Sequence, residues 1–197
     1  MGGTFDPIHN GHLLLGRQAY EEYHMDQIWY MPSGQPPHKR DHRITSAEDR
    51  CAMVQVAIAD LPYCVLSTFE IDRQGNTYTA QTLRLLHEAY PEHEFYFIIG
   101  ADSLYQLETW FHPEEVMKQC TLLVAGREYE DASMTIEQRI EDLTRRYGAK
   151  IYRLHNREVD IASAEIRDMT YRGGSIEKLV PKKVNEYIKL HHLYEKI

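Results

Sequence analysis

An α/β fold with a doubly wound parallel sheet is what this sequence predicts, and three observations carry it. Short apolar runs alternate with amphipathic stretches from one end to the other. The apolar runs are continuous, not alternating, which is the pattern of strands buried on both faces in a parallel sheet. No internal repeat, low-complexity tract or interdomain linker breaks the βα order, so the reading is a single domain over residues 1–197.

Strands are expected at 27–31 (QIWYM), 63–67 (YCVLS), 94–100 (EFYFIIG), 120–126 (CTLLVAG) and 149–154 (AKIYRL). Helical patterning falls between them at about 11–23, 46–60, 79–90, 112–119 and 136–147. After the last strand come SAEIRDMTY at 163–171 and PKKVNEYIKLHHLYEK at 181–196, the second with proline suited to a first helical turn. Residues 32–45 form a proline-rich, basic loop and 127–136 a polar one.

Composition limits the partners. The net charge of -8 argues against nucleic acid, which needs a basic face. A small anionic substrate stays compatible if positive potential is concentrated at its site. The longest apolar runs are strand-sized, short of the roughly 20 residues that cross a bilayer. No secretory leader pattern opens the chain. The three cysteines, Cys51, Cys64 and Cys120, lack C-x-x-C spacing and read as reduced thiols. These features point to the cytoplasm, with no membrane partner.

The stretch MGGTFDPIHNGH at 1–12 concentrates the chemistry. Glycines after a strand let backbone approach a phosphate, and the helix that follows offers free N–H groups and a positive dipole end. His9 and His12, three apart, meet near one face of the first helical turn, and Gly11 leaves room between them. The stretch is neither a G-x-G-x-x-G fingerprint nor a Walker A loop. A third metal ligand is not evident nearby.

These residues resemble the (T/H)-x-G-H signature of the nucleotidyltransferase superfamily, whose fold is Rossmann-like. The resemblance implies that Gly3, Thr4, Phe5, His9, Gly11 and His12 bind ATP, with His9 and His12 acting on its phosphates. IASAEIR at 161–167 is similar to the superfamily's second signature, I-S-S-T-x-x-R, with Ala162 and Ala164 where Ser and Thr are usual. Ser163 is expected as the N-cap of that helix, and Arg167, one turn on, as a catalytic phosphate contact.

PPHK (36–39), TYTAQTL (77–83) and FIIGADSLYQLETW (97–110) resemble the bacterial nicotinate mononucleotide adenylyltransferases. That likeness implies adenylyl transfer from ATP to nicotinate mononucleotide, with Mg²⁺ carried on the ATP phosphates and no side-chain metal ligand. It implies Thr79 for the nicotinate carboxylate, Trp110 stacked on the ring and Asp102 on ribose hydroxyls. Arg127 and Lys39 would complete the mononucleotide site, with Arg40 beside Lys39 closing over phosphate. Phosphopantetheine adenylyltransferases share the first motif but lack the TYT…GAD…W series. A non-catalytic nucleotide-binding protein is the alternative of another class: Ala162 and Ala164 favour it, and the intact His9, His12, Ser163 and Arg167 oppose it. The oligomeric state is left open, a homo-oligomer included.

In this family an apolar strand precedes the glycine pair, where here only Met1 stands. The first strand is therefore expected to be truncated, with a slot among apolar neighbours at the centre of the sheet. The natural chain is expected to start upstream.

Overall fold

All strand pairings are parallel, and the sheet comes in two separately bonded halves. The computed structural model describes residues 1–34, 44–73, 75, 77–126, 134–155 and 161–196. In chain order these form β1 (Gly2–Gly3), α1 (Asn10–Glu22), β2 (Ile28–Pro32), α2 (Ala47–Ile58), β3 (Cys64–Leu66), α3 (Thr79–Ala89) and β4 (Tyr96–Gly100). There follow α4 (Ala101–Gln106), a 3₁₀ turn (Leu107–Thr109), α5 (Pro113–Gln119), β5 (Thr121–Ala125), α6 (Ile136–Tyr147), β6 (Ile151–Arg153), α7 (Ser163–Tyr171) and α8 (Lys182–Leu190).

The five expected strands and seven expected helices all occur, with ends moved by a few residues. Larger differences fall at two places. The last helix stops at Leu190, well short of 196. The stretch after β4 forms α4 and the 3₁₀ turn, too short for helical periodicity to register.

Local chemistry sets the ends that can be checked. Thr135 caps α6 by accepting the Gln138 N–H at 3.2 Å, while Gln138 Oε1 accepts the Thr135 N–H at 2.9 Å. Gly148 closes the same helix at φ 65, a left-handed conformation that suits a residue without Cβ. Gly16 permits a close approach of another kind. A Cβ there would collide with the Tyr30 hydroxyl, which donates to the His12 carbonyl at 3.2 Å and so seats α1 on β2.

One half of the sheet has the order β1-β2-β3, the other β4-β5-β6. β1 is two residues long, Gly2 against Met31 and Gly3 against Pro32. Between the halves runs a cavity of about 970 Å³, flanked by Ile28, Trp29 and Met31 of β2 and by Tyr96, Phe97 and Ile98 of β4. Two apolar clusters hold the layers. Phe5, Ile8, Tyr30, Met53, Ile166 and Ile188 pack with Ile98 and Leu123 of the second half in one cluster that spans both halves, and Leu104, Leu107, Val116, Leu122, Ile136 and Leu143 form the other. Among the described residues, no helix is long and apolar enough to cross a membrane.

Candidate functional site

The loop from β1 to α1 puts two imidazoles face to face. His9 is the N-cap of α1, in extended conformation, and His12 lies one turn on. Their rings stack with centroids 3.7 Å apart and planes 24° from parallel. The His9 backbone N–H donates to His12 Nδ1 at 3.3 Å. An Nδ1 that accepts cannot carry the proton, so a neutral His12 holds it on Nε2 and presents that N–H as a donor. Gly11 makes this stack fit, because a Cβ there would lie 3.1 Å from His9 Nδ1. Phe5, at φ 50, buries its ring edge-on against His12, centroids 5.0 Å apart.

Burial sets the charge state of the pair. It lowers His9 from 6.5 to about 4. It lowers His12 to about 3, with His9 adding a smaller effect in the same direction. Burial thus favours the uncharged form of both rings near neutral pH, in which each acts as an oriented dipole. His9 Nδ1 is buried without a hydrogen-bond partner. Helix α1 adds the positive end of its dipole at the same place, a combination suited to phosphate oxygens.

Three segments grip the Asp6–Pro7 pair, whose peptide bond is cis, and Arg50 ties down the residues around it. From α7, Arg167 Nη1 donates to the Asp6 carbonyl at 2.6 Å and Ser163 Oγ to the Pro7 carbonyl at 2.9 Å. Ser163 is thus the first residue of the helix and a clamp on the loop. The expected N-cap role falls to Ala162, which has no side chain for it. The Asp6 carboxylate accepts the Tyr194 hydroxyl at 2.6 Å and the Thr45 N–H at 3.3 Å. Arg50 of α2, 2% exposed, donates to the carbonyls of Thr4 and Ser33 at 2.9 Å each and of Thr45 at 3.1 Å. Arg50 and Tyr194 escaped sequence reading, because their partners are distant in the chain.

Thr79 and Trp110 line the large cavity together with Gly3 and Thr4. Thr79 opens α3. Trp110 follows the 3₁₀ turn, its indole tilted 63° against Phe97. Its turn is pinned by Glu108, which accepts from Arg139 at 2.8 Å, from the Tyr147 hydroxyl at 2.6 Å and from Arg146. The hydrogen bonds from Tyr147 and Arg146 hold that carboxyl down at about 2. Next to the two expected residues, Tyr78 and Phe111 stack at 4.5 Å and also line the cavity. These two were missed, though an aromatic neighbour beside each expected residue was legible.

Not every expected residue converges here. His9, His12, Ser163 and Arg167 cluster at the adjoining loop, with Gly3 and Thr4 as the join to the cavity. Asp102 stands exposed in the first turn of α4 and does not line the cavity. Lys39, Arg40 and Arg127 lie outside the described residues.

A parallel α/β sheet whose first loop delivers a stacked histidine pair to a helix N-terminus, beside an aromatic-lined cavity, defines a nucleotidyltransferase class of site. The cytidylyltransferase-like family model matches residues 1–169. The probable nicotinate-nucleotide adenylyltransferase of Lachnoclostridium phytofermentans is 42% identical over 194 residues, covering 98% of this chain and 96% of its own. That of Dehalococcoides mccartyi strain BAV1 is 40% identical over 195 residues, covering 98% and 95%. The chain belongs to the cytidylyltransferase-like family and, within it, to the nicotinate-nucleotide adenylyltransferases. A solved Plasmodium falciparum nicotinic acid mononucleotide adenylyltransferase, complexed with NaAD, superposes with a TM-score of 0.79, covering 98% of this chain and 94% of that one. At 20% identity it supports the fold alone.

Proposed function

We propose that this protein transfers the adenylyl group of ATP to nicotinate mononucleotide, giving nicotinate adenine dinucleotide and pyrophosphate. The observation that carries the reading is the His9–His12 stack at the N-terminus of α1, joined through Gly3 and Thr4 to the cavity of Thr79 and Trp110. An oxygen of the mononucleotide phosphate attacks the α-phosphorus in line. The bond from that phosphorus to the bridging oxygen breaks, and pyrophosphate leaves with the electron pair. The attacking oxygen is already anionic, so no general base is required and catalysis rests on positioning and charge stabilisation. His12 Nε2–H donates to an α-phosphate oxygen whose charge grows in the transition state. His9, Arg167 and the N-terminus of α1 hold the other phosphate oxygens, while Thr79 and Trp110 receive the nicotinate.

Mg²⁺ fits as a passenger of the nucleotide. Among the described residues no cluster of three or more His, Cys, Asp or Glu side chains could hold an ion, and the imidazoles and guanidinium at the loop suit phosphate oxygens. Bound to ATP, the ion would supply positive charge to the phosphate oxygens and to the pyrophosphate leaving group. Soluble nucleotide substrates and the free thiols Cys51, Cys64 and Cys120 suit a cytoplasmic location.

The test is pyrophosphate release from Mg-ATP with nicotinate mononucleotide, nicotinamide mononucleotide, phosphopantetheine and glycerol phosphate as acceptors. Fastest release with nicotinate mononucleotide is the expected result. Faster release with another acceptor overturns the substrate, and ATP binding without release from any acceptor supports a non-catalytic protein.

A further inference from the structure

We propose that Tyr194, in the segment that follows α8, is a positioning residue for the nucleotide site, acting through Asp6; this rests on the adenylyl-transfer reading above. Tyr194 lies beyond residue 169, where the family model's match ends. Its hydroxyl nevertheless reaches the loop that carries the histidine pair, donating to Asp6 Oδ1 at 2.6 Å across 188 residues of chain.

Three features set this contact apart from ordinary packing. The Asp6 residue is 4% exposed, and a buried carboxylate needs hydrogen-bond donors to stay in place. Of the two hydrogen bonds its carboxylate accepts among the described residues, the one from Tyr194 is the shorter, with Thr45 N–H at 3.3 Å the other. Tyr194 itself sits at φ 64, and His192 nearby at φ 52, in left-handed conformations that cost a non-glycine residue free energy. The backbone holds that strain while the hydroxyl is delivered to Asp6.

Asp6 then transmits the position. Its carbonyl accepts from Arg167 and that of Pro7, next in the chain, from Ser163, so carboxylate and carbonyls fix the loop from different elements. His9 follows two residues after Pro7 and caps α1. If the Asp6 carboxylate shifts, the His9–His12 stack and the α1 N-terminus shift with it, and misplacement by about 1 Å costs on the order of a hundredfold in rate. Thr79 and Trp110 stand on α3 and the 3₁₀ turn, outside this linkage.

The test compares the full chain with Tyr194→Phe, Asp6→Ala and the double variant. Mg-ATP affinity is measured by calorimetry, and kcat and both KM values from pyrophosphate release, with rates normalised to the folded fraction. Tyr194→Phe is expected to weaken ATP binding and lower kcat/KM for ATP by about tenfold or more, with KM for nicotinate mononucleotide within about twofold of the parent. The double variant is expected to match Asp6→Ala alone, because one residue acts through the other. Asp6→Ala removes the acceptor of the Tyr194 hydroxyl and serves as the second probe should Tyr194→Phe not fold; an unchanged ATP affinity in it overturns the proposal. So does a Tyr194→Phe chain with parental ATP affinity after normalisation, or multiplicative effects in the double variant. A parent chain that binds ATP but ignores nicotinate mononucleotide overturns the acceptor, not the role of Tyr194, which the ATP affinities still decide.

Discussion

The His9 backbone N–H donates to His12 Nδ1 at 3.3 Å while the two imidazoles stack at 3.7 Å, so the residue that caps the helix also fixes the tautomer of its neighbour. The Nε2–H of His12 is thereby a ring donor available to a substrate, and replacing His12 is the most direct test of the site.

His12→Ala is expected to lower kcat by about two to three powers of ten, the scale for losing one well-placed donor to a developing oxyanion. Pyrophosphate release with saturating Mg-ATP and nicotinate mononucleotide reads it. A loss under about threefold would remove His12 from the chemistry.

The histidine pair also predicts how stability depends on pH. Both folded-state values, about 4 for His9 and about 3 for His12, lie below the ordinary 6.5. Between those limits the unfolded chain binds protons that the folded chain refuses, so stability falls as pH drops from 6.5 and the effect levels off below about 3. His12→Gln removes one such group. Thermal midpoints measured from pH 7 down to pH 4 are expected to fall less steeply in that variant than in the parent. Parallel curves would mean that His12 is not held neutral.

Trp110→Ala is expected to raise KM for nicotinate mononucleotide by about tenfold, in line with about 1–3 kcal/mol for stacking an aromatic base. KM for ATP should stay put, since Trp110 lines the cavity and not the histidine loop. Initial rates with each substrate varied in turn separate the two constants. An equal rise in both would place the indole elsewhere in the reaction.

Ser163→Ala deletes the clamp on the Pro7 carbonyl. One hydrogen bond contributes about 0.5–1.5 kcal/mol, and a chain of this size shifts its midpoint by about 2–4 °C per kcal/mol. A loss of a few degrees in a thermal scan is expected, together with slower turnover. An unchanged midpoint would show that the contact contributes nothing to stability.

A segment of five Val and Ile residues fused ahead of Met1 is expected to enter the cavity between β2 and β4 and pair with both. Each buried side chain contributes about 1.5–3 kcal/mol, so the midpoint should rise by roughly 5 °C or more. A midpoint that does not move counts against that pairing.

Most of the architecture was legible because it rests on periodicity. The runs QIWYM and CTLLVAG are apolar without alternation and became β2 and β5, and the caps at Thr135 and Gly148 end α6 where local chemistry says they should. α4 was not legible, since six residues hold fewer than two turns. At the site, the fixed spacing of His9, Gly11 and His12 was enough to find the loop. Arg50 and Tyr194 were not found, because their partners lie on elements that only folding brings together. The charge of the histidines was also beyond reach, for it depends on burial, which no spacing encodes.

An open sheet has two free margins, and a sheet in two bonded halves has four. The inner margin of β4 carries Tyr-Phe-Ile-Ile-Gly, a short, uncharged, β-prone run of the kind that recruits copies of itself. Glu92 and Glu94 stand just before it and Asp102 just after, where like charges on two approaching molecules repel. The exposed Asp102 thus acquires a part in resisting self-association: neutralising these three carboxylates is expected to raise turbidity before any loss of secondary structure.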